Sequence, residues 1–170
     1  PRYFSSAASD VYKRQANDLI SLESPNYQYV AARLLLYGVY KDVFGEYKHK
    51  SFIDMIKLNI ERGVYDPQIL DLYTEEELDS LDKYIKLNRD ENFTYAGLRQ
   101  IVDKYLVQDR SSGQIFEPPQ YMYMMIAATL FANYPKEDRL YYVRRYYDAT
   151  SLFKINIPTP VMAGVRTPVR

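Results

Sequence analysis

The chain has 170 residues, 47% of them apolar and 26% charged, enough for one domain with a real core. Its 22 Lys and Arg balance 22 Asp and Glu, so no net field draws it toward nucleic acid or anionic lipid. It has no cysteine and a single histidine, which excludes disulfides and thiolate metal sites from these residues.

Pro1–Gln15 carries a Ser/Ala run with no apolar period and reads as a non-native or junction segment outside the fold. From Ala16 the pattern is helical. Ser24-Pro25 places a capping residue before a proline suited to a first helical turn. Val30, Leu34, Tyr37 and Lys41 recur at helical spacing, Leu35 and Val39 widen the stripe, and the helix should stop at Gly45. His49 lies in the polar run Glu46–Lys50 and reads as a solvated helix-end residue, not a base or ligand.

Phe52, Met55, Ile56 and Ile60 predict a second amphipathic helix ended by Gly63. Asp66-Pro67 restarts a short helix through Ile69 and Leu70. Thr74 and Glu77 stand at capping-box spacing, and Leu78, Leu81, Tyr84 and Ile85 supply the buried face behind them. Thr94 caps a further helix through Leu98, Ile101 and Tyr105. Val107 and Ile115-Phe116 flank the turn-rich Asp109–Gly113, which predicts a small β-hairpin. After Pro118-Pro119, Tyr121–Asn133 is apolar nearly all round and belongs in the middle of a core. Pro135 opens a last long helix, Glu137 to about Leu152, with Leu140, Val143, Tyr147 and Leu152 facing inward.

Ile155-Asn-Ile157 then reads as a β-strand stopped by Pro158-Thr159-Pro160, with no partner strand in the chain. The fold class is therefore mainly α, with one hairpin and the first strand of something else. Tyr121–Phe131, the longest apolar stretch, is too short to span a bilayer. With no leader visible, a reduced cytoplasmic protein is the default expectation. Carboxylates such as Glu75-Glu76-Glu77 are explained by helix capping. Arg144-Arg145 reads as a solvated edge, not a guanidinium clamp. No phosphate loop or nucleophile elbow is present, so the residue pattern alone defines no enzyme class.

Several segments resemble the N-terminal region of class I ribonucleotide reductase large subunits. They are Tyr27–Leu34, Gly63–Leu70, Tyr73–Leu78, Arg89–Ile101, Lys104–Pro135 and Tyr142–Pro168, the last containing "NIPTPVMAGVRTP". The resemblance runs from Ala16 to Arg170. It implies that 16–45 is the C-terminal remnant of an ATP-cone, 46–153 the helical N-terminal domain, and 154–170 the start of a truncated catalytic α/β barrel.

It also implies that the full protein reduces ribonucleoside diphosphates to deoxyribonucleoside diphosphates by thiyl-radical chemistry. ATP and dATP would be allosteric effectors, and the radical cofactor would reside in a partner small subunit. Homodimerisation of large subunits and reduction by thioredoxin or glutaredoxin come with the same likeness. Thr159 of the Pro-Thr-Pro motif matches a threonine that helps bind the substrate diphosphate. Lys41 matches a lysine that contacts the allosteric nucleotide's phosphates. The family's cysteines are absent from the chain, so the segment alone is expected to be inactive. The alternative is a stand-alone helical interaction or regulatory module without catalysis.

Overall fold

The computed structural model describes residues 11–12, 14–45 and 49–168. Most of the segment 1–15 and the start of the Glu46–Lys50 run therefore lie outside the described residues. Helix α1 spans Tyr27–Phe44 and ends where Gly45 takes a φ of 78°, a turn that disfavours a side chain. It starts later than Ser24-Pro25 suggests: Asn26 is the N-cap, and no side chain caps it. Its buried face is Ala31, Ala32, Leu35, Leu36, Val39 and Val43. Val30 and Tyr37, placed on the apolar stripe by the sequence, are instead 46% and 65% exposed. The helix is apolar on more than one side, and the small alanines let the opposite face pack closest.

Helix α2 (Phe52–Glu61) is capped by Ser51, whose hydroxyl accepts from the Asp54 amide at 3.1 Å. It ends at Gly63, with φ 69° and the Val64 amide donating to the Asn59 carbonyl at 3.0 Å, a Schellman closure. The short α3 (Gln68–Leu72) follows Pro67, and α4 (Glu75–Tyr84) begins with the complete Thr74–Glu77 capping box. A 3-10 segment (Leu87–Asn92) leads to α5 (Tyr95–Lys104), whose N-cap Thr94 accepts from the Gly97 amide.

The hairpin forms as predicted, β1 (Gln108–Asp109) pairing antiparallel with β2 (Gln114–Ile115) in the register Gln108 opposite Ile115. Asp109 organises its turn by accepting from Ser111 and Ser112, bonds that lower its pKa to about 2.

Helix α6 (Pro119–Leu130) is the axis of the domain, with every residue from Pro119 to Ala128 buried. Helix α7 (Lys136–Ser151) lies against it and buries Val143 and Tyr147 completely, whereas Leu152, expected to face inward, is 40% exposed at the C-cap. Helix α1 packs on α5, and α2 on α4. Residues of α1, α2, α4, α5, α6 and α7 share one hydrophobic cluster, so α1 belongs to the same core as the rest.

The expected strand at Ile155–Ile157 does not form. The segment is irregular, and Thr159–Gly164 is a short helix, α8, with Pro158 at its N-cap and Pro160 in its first turn. A strand needs a hydrogen-bonding neighbour, and none of the described residues supplies one. Proline in a first helical turn carries no penalty, so the same Pro-Thr-Pro that would stop a strand starts a helix.

Candidate functional site

Thr159 is exposed as the first residue of α8, and its Oγ1 lies 3.3 Å from the Tyr105 hydroxyl at the end of α5. What fixes this short helix is a buried ion pair beneath it. The Arg166 and Glu117 side chains are both fully buried. Arg166 Nε sits 3.1 and 3.0 Å from the two Glu117 oxygens, and its Nη2 donates to the same carboxylate.

The rest of the guanidinium binds backbone. Nη1 donates to the Met162 carbonyl at 2.5 Å and Nη2 to the Tyr105 carbonyl at 2.8 Å. Glu117 in turn accepts from the Val107 amide at 2.8 Å and from the Tyr65 hydroxyl. The Arg166 carbonyl takes the Asp66 amide at 3.0 Å.

Its three nitrogens make five contacts to carboxylate or carbonyl oxygens, the partners a buried guanidinium requires. Burial opposes the charge on Arg166, but the adjacent Glu117 carboxylate outweighs it and raises its pKa. Burial and the same carboxylate push the Tyr65 phenol well above its ordinary value. The frame thus ties α8 to the end of α5, the hairpin and the α2–α3 connection.

A second buried frame stands under α1. Asp90, 1% exposed, accepts from the Tyr40 hydroxyl and the Gln120 amide, each at 2.7 Å. Gln120 accepts from the Tyr147 hydroxyl at 2.6 Å, and that oxygen accepts from the Lys86 amide at 2.9 Å. Burial raises the Asp90 pKa to about 7 against the pull of its two donors. Beside it, Arg89 donates to Asp148 and Ser151 at 2.7 Å each. Arg139, buried on α7, closes on Glu77 of the capping box and covers the Tyr73 ring at 4.3 Å.

Lys41 lies exposed in the last turn of α1, one residue from Tyr40. Thr159 and Lys41 therefore sit on separate elements, each beside one of the two polar frames. His49 is exposed, with its ring against Phe44 at 4.7 Å and Tyr40 at 5.9 Å. Arg145 is solvated as expected, but Arg144 is half-buried, donating to Ser80 at 2.5 Å and lying over the Tyr84 ring.

Among the described residues no group of three or more His, Cys, Asp or Glu could hold a metal ion. No described helix is long and apolar enough to cross a membrane. Sequence reasoning assigned no role to Arg166, Glu117 or Tyr105. The available signal was a lone charge wedged into apolar or proline-rich sequence, Ile-Phe-Glu117-Pro-Pro and Gly-Val-Arg166-Thr-Pro.

A helical domain whose closing segment is held by a buried Arg–Glu frame is the class this architecture defines, and residues 91–170 match the family described as ribonucleotide reductase, all-alpha domain. The chain is 47% identical over 165 residues to ribonucleoside-diphosphate reductase 1 subunit alpha of Escherichia coli K12, covering 95% of the chain. It is 48% identical over 165 residues to the alpha subunit of Haemophilus influenzae and 48% over 160 residues to that of phage T4. Nearly the whole chain is thus similar to the N-terminal fifth or so of ribonucleotide reductase large, or alpha, subunits. It spans about a fifth of the length of these relatives, 22% for the Escherichia coli protein. Residues 16–170 make up less than 95% of the chain, so the match reaches into the segment 1–15.

Proposed function

We propose that this chain is the N-terminal helical part of a class I ribonucleoside-diphosphate reductase large subunit, which reduces ribonucleoside diphosphates to deoxyribonucleoside diphosphates by thiyl-radical chemistry for DNA synthesis. The observation that carries this reading is near 47% identity sustained over almost the whole chain. The chain contains no cysteine, so thiol chemistry belongs to other parts of the subunit. The radical would come from a partner small subunit, and thioredoxin or glutaredoxin would return the reducing equivalents. The large subunit would work as a homodimer in the cytoplasm.

Within this reading Thr159 contacts the substrate diphosphate. Its support is an exposed hydroxyl on a helix that the Arg166–Glu117 frame holds in place. Lys41 contacts the phosphates of an ATP or dATP effector, its support being an exposed lysine on a helix seated in the core. Residues 16–45 then form the end of the ATP-cone, and 154–170 the entrance to the barrel.

The test is the complete subunit assayed with its small subunit. Thr159→Val should raise KM for the ribonucleoside diphosphate with effector binding unchanged, and Lys41→Gln should weaken ATP or dATP binding with substrate KM unchanged. An unaltered KM removes Thr159 from the substrate site, and unaltered effector affinity removes Lys41 from the allosteric site.

A further inference from the structure

We propose that Tyr105 is a second ligand-contacting residue of the Thr159 site, its phenol donating to the same phosphate group as the threonine hydroxyl. The inference rests on the reading of Thr159 given above and extends it to a residue 54 positions earlier in the chain. Six phenols of this domain spend their proton inside the fold. Tyr40 and Tyr84 donate to aspartates, Tyr65 to Glu117, Tyr73 and Tyr121 to backbone carbonyls, and Tyr147 to Gln120. Tyr105 differs. Its hydroxyl bonds, at an exposed position, to the Thr159 hydroxyl at 3.3 Å, and either oxygen can be the donor.

Two facing hydroxyls hold two protons and use one between them, which leaves one proton for an outside acceptor. A phosphate presents several anionic oxygens, so it can take both protons. The long neutral bond between the hydroxyls is then exchanged for two charge-assisted ones. No described carboxylate accepts from either hydroxyl, so the pair has no internal competitor.

The spacing of the two hydroxyls is also built. The Arg166 guanidinium that grips the Met162 carbonyl of α8 grips the Tyr105 carbonyl as well. One buried group therefore sets the helix bearing the threonine and the backbone bearing the phenol. Pre-organised donors lose little freedom when the ligand arrives. The ligand class is a nucleoside diphosphate read through its phosphate oxygens.

The experiment uses the complete subunit carrying Tyr105→Phe, Thr159→Val or both, with equilibrium binding of a ribonucleoside diphosphate, the matching ribonucleoside and inorganic pyrophosphate. A hydrogen bond to a charged group is worth about 1.5–3 kcal/mol, roughly a 10- to 100-fold change in affinity. Tyr105→Phe should weaken diphosphate binding by about that factor and pyrophosphate binding in parallel. Affinity for the ribonucleoside and the thermal midpoint should stay unchanged, because the ring is retained. The double variant should lose less than the product of the single losses.

If Tyr105→Phe binds the diphosphate like the parent while Thr159→Val does not, the Tyr105 proposal fails and the Thr159 reading stands. If neither variant weakens the diphosphate, both fail. Equal loss of the ribonucleoside and the diphosphate in Tyr105→Phe overturns the phosphate contact in favour of a general distortion.

Discussion

Replacing Asp90 by Asn should leave the stability of the 170-residue chain nearly unchanged below about pH 4 and raise it increasingly as pH climbs through 5 and 6, by most at pH 8. Burial lifts the Asp90 pKa from 3.8 to about 7, so the folded chain binds a proton that the unfolded chain releases. The stability linked to that proton is fully present below the unfolded value and is lost as pH rises through about 7. A displacement of this size corresponds to about 4 kcal/mol.

Asn reproduces the protonated form. Its carbonyl keeps the Gln120 donor now at 2.7 Å, and its amide meets the Tyr40 oxygen as that hydroxyl turns to the Leu87 carbonyl, already 3.3 Å away. The groups around Asp90 are Arg89, Glu91, Tyr40, Tyr123 and Tyr147, with His49 against Tyr40. Because His49 is the chain's single histidine, His49→Gln serves as the background for the comparison. Urea unfolding followed by circular dichroism at pH 5, 6, 7 and 8 gives both curves. A parent stability that is flat across this range, or a difference between Asp90→Asn and the parent that is the same at every pH, refutes the reasoning.

Glu117→Gln or Arg166→Met each leaves one buried charge unpaired and should cost about 3–5 kcal/mol in urea unfolding. The double variant Glu117→Gln/Arg166→Met should lose clearly less than the sum of the two, and strict additivity would show that the pair is not coupled. Thr74→Ala removes the hydroxyl half of the capping box and should cost about 1 kcal/mol, while Thr74→Ser should stay close to the parent. An unchanged thermal midpoint in Thr74→Ala would mean that the Arg139–Glu77 contact alone fixes the start of α4.

Elements whose cause is local were legible. The Thr74–Glu77 box, the stop at Gly63, the Asp109–Gly113 turn and the all-apolar helix through Met124 each announce themselves within a few residues. The phase of α1 was misread because its apolar residues cover more than one face, and which face wins is decided by α5 and the 3-10 segment.

The end of α7 shows the same limit. Phe153 takes the left-handed turn (φ 57°) that Gly63 takes after α2, with the Lys154 amide closing on the Ala149 carbonyl at 2.9 Å. No glycine marks that position, and the edge-on contact of Phe153 with Phe93 at 4.9 Å that supports it is non-local. Thr159 and Lys41 were reached only through likeness to a family. The polar frames were not reached at all, because their side chains meet one another across 27 to 62 positions and nothing in any one segment shows its partner.

The Arg166–Glu117 pair has a consequence for how the protein is made. A ribosome delivers Glu117 49 residues before Arg166, an interval of roughly 2–10 s at ordinary elongation rates. During that interval α6 and α7 are still being made, and the Glu117 carboxylate lacks the cation that pairs with it in the core. The order of synthesis thus keeps the nascent domain ajar beside Tyr65 and Val107 until the Gly-Val-Arg166 segment emerges to close it.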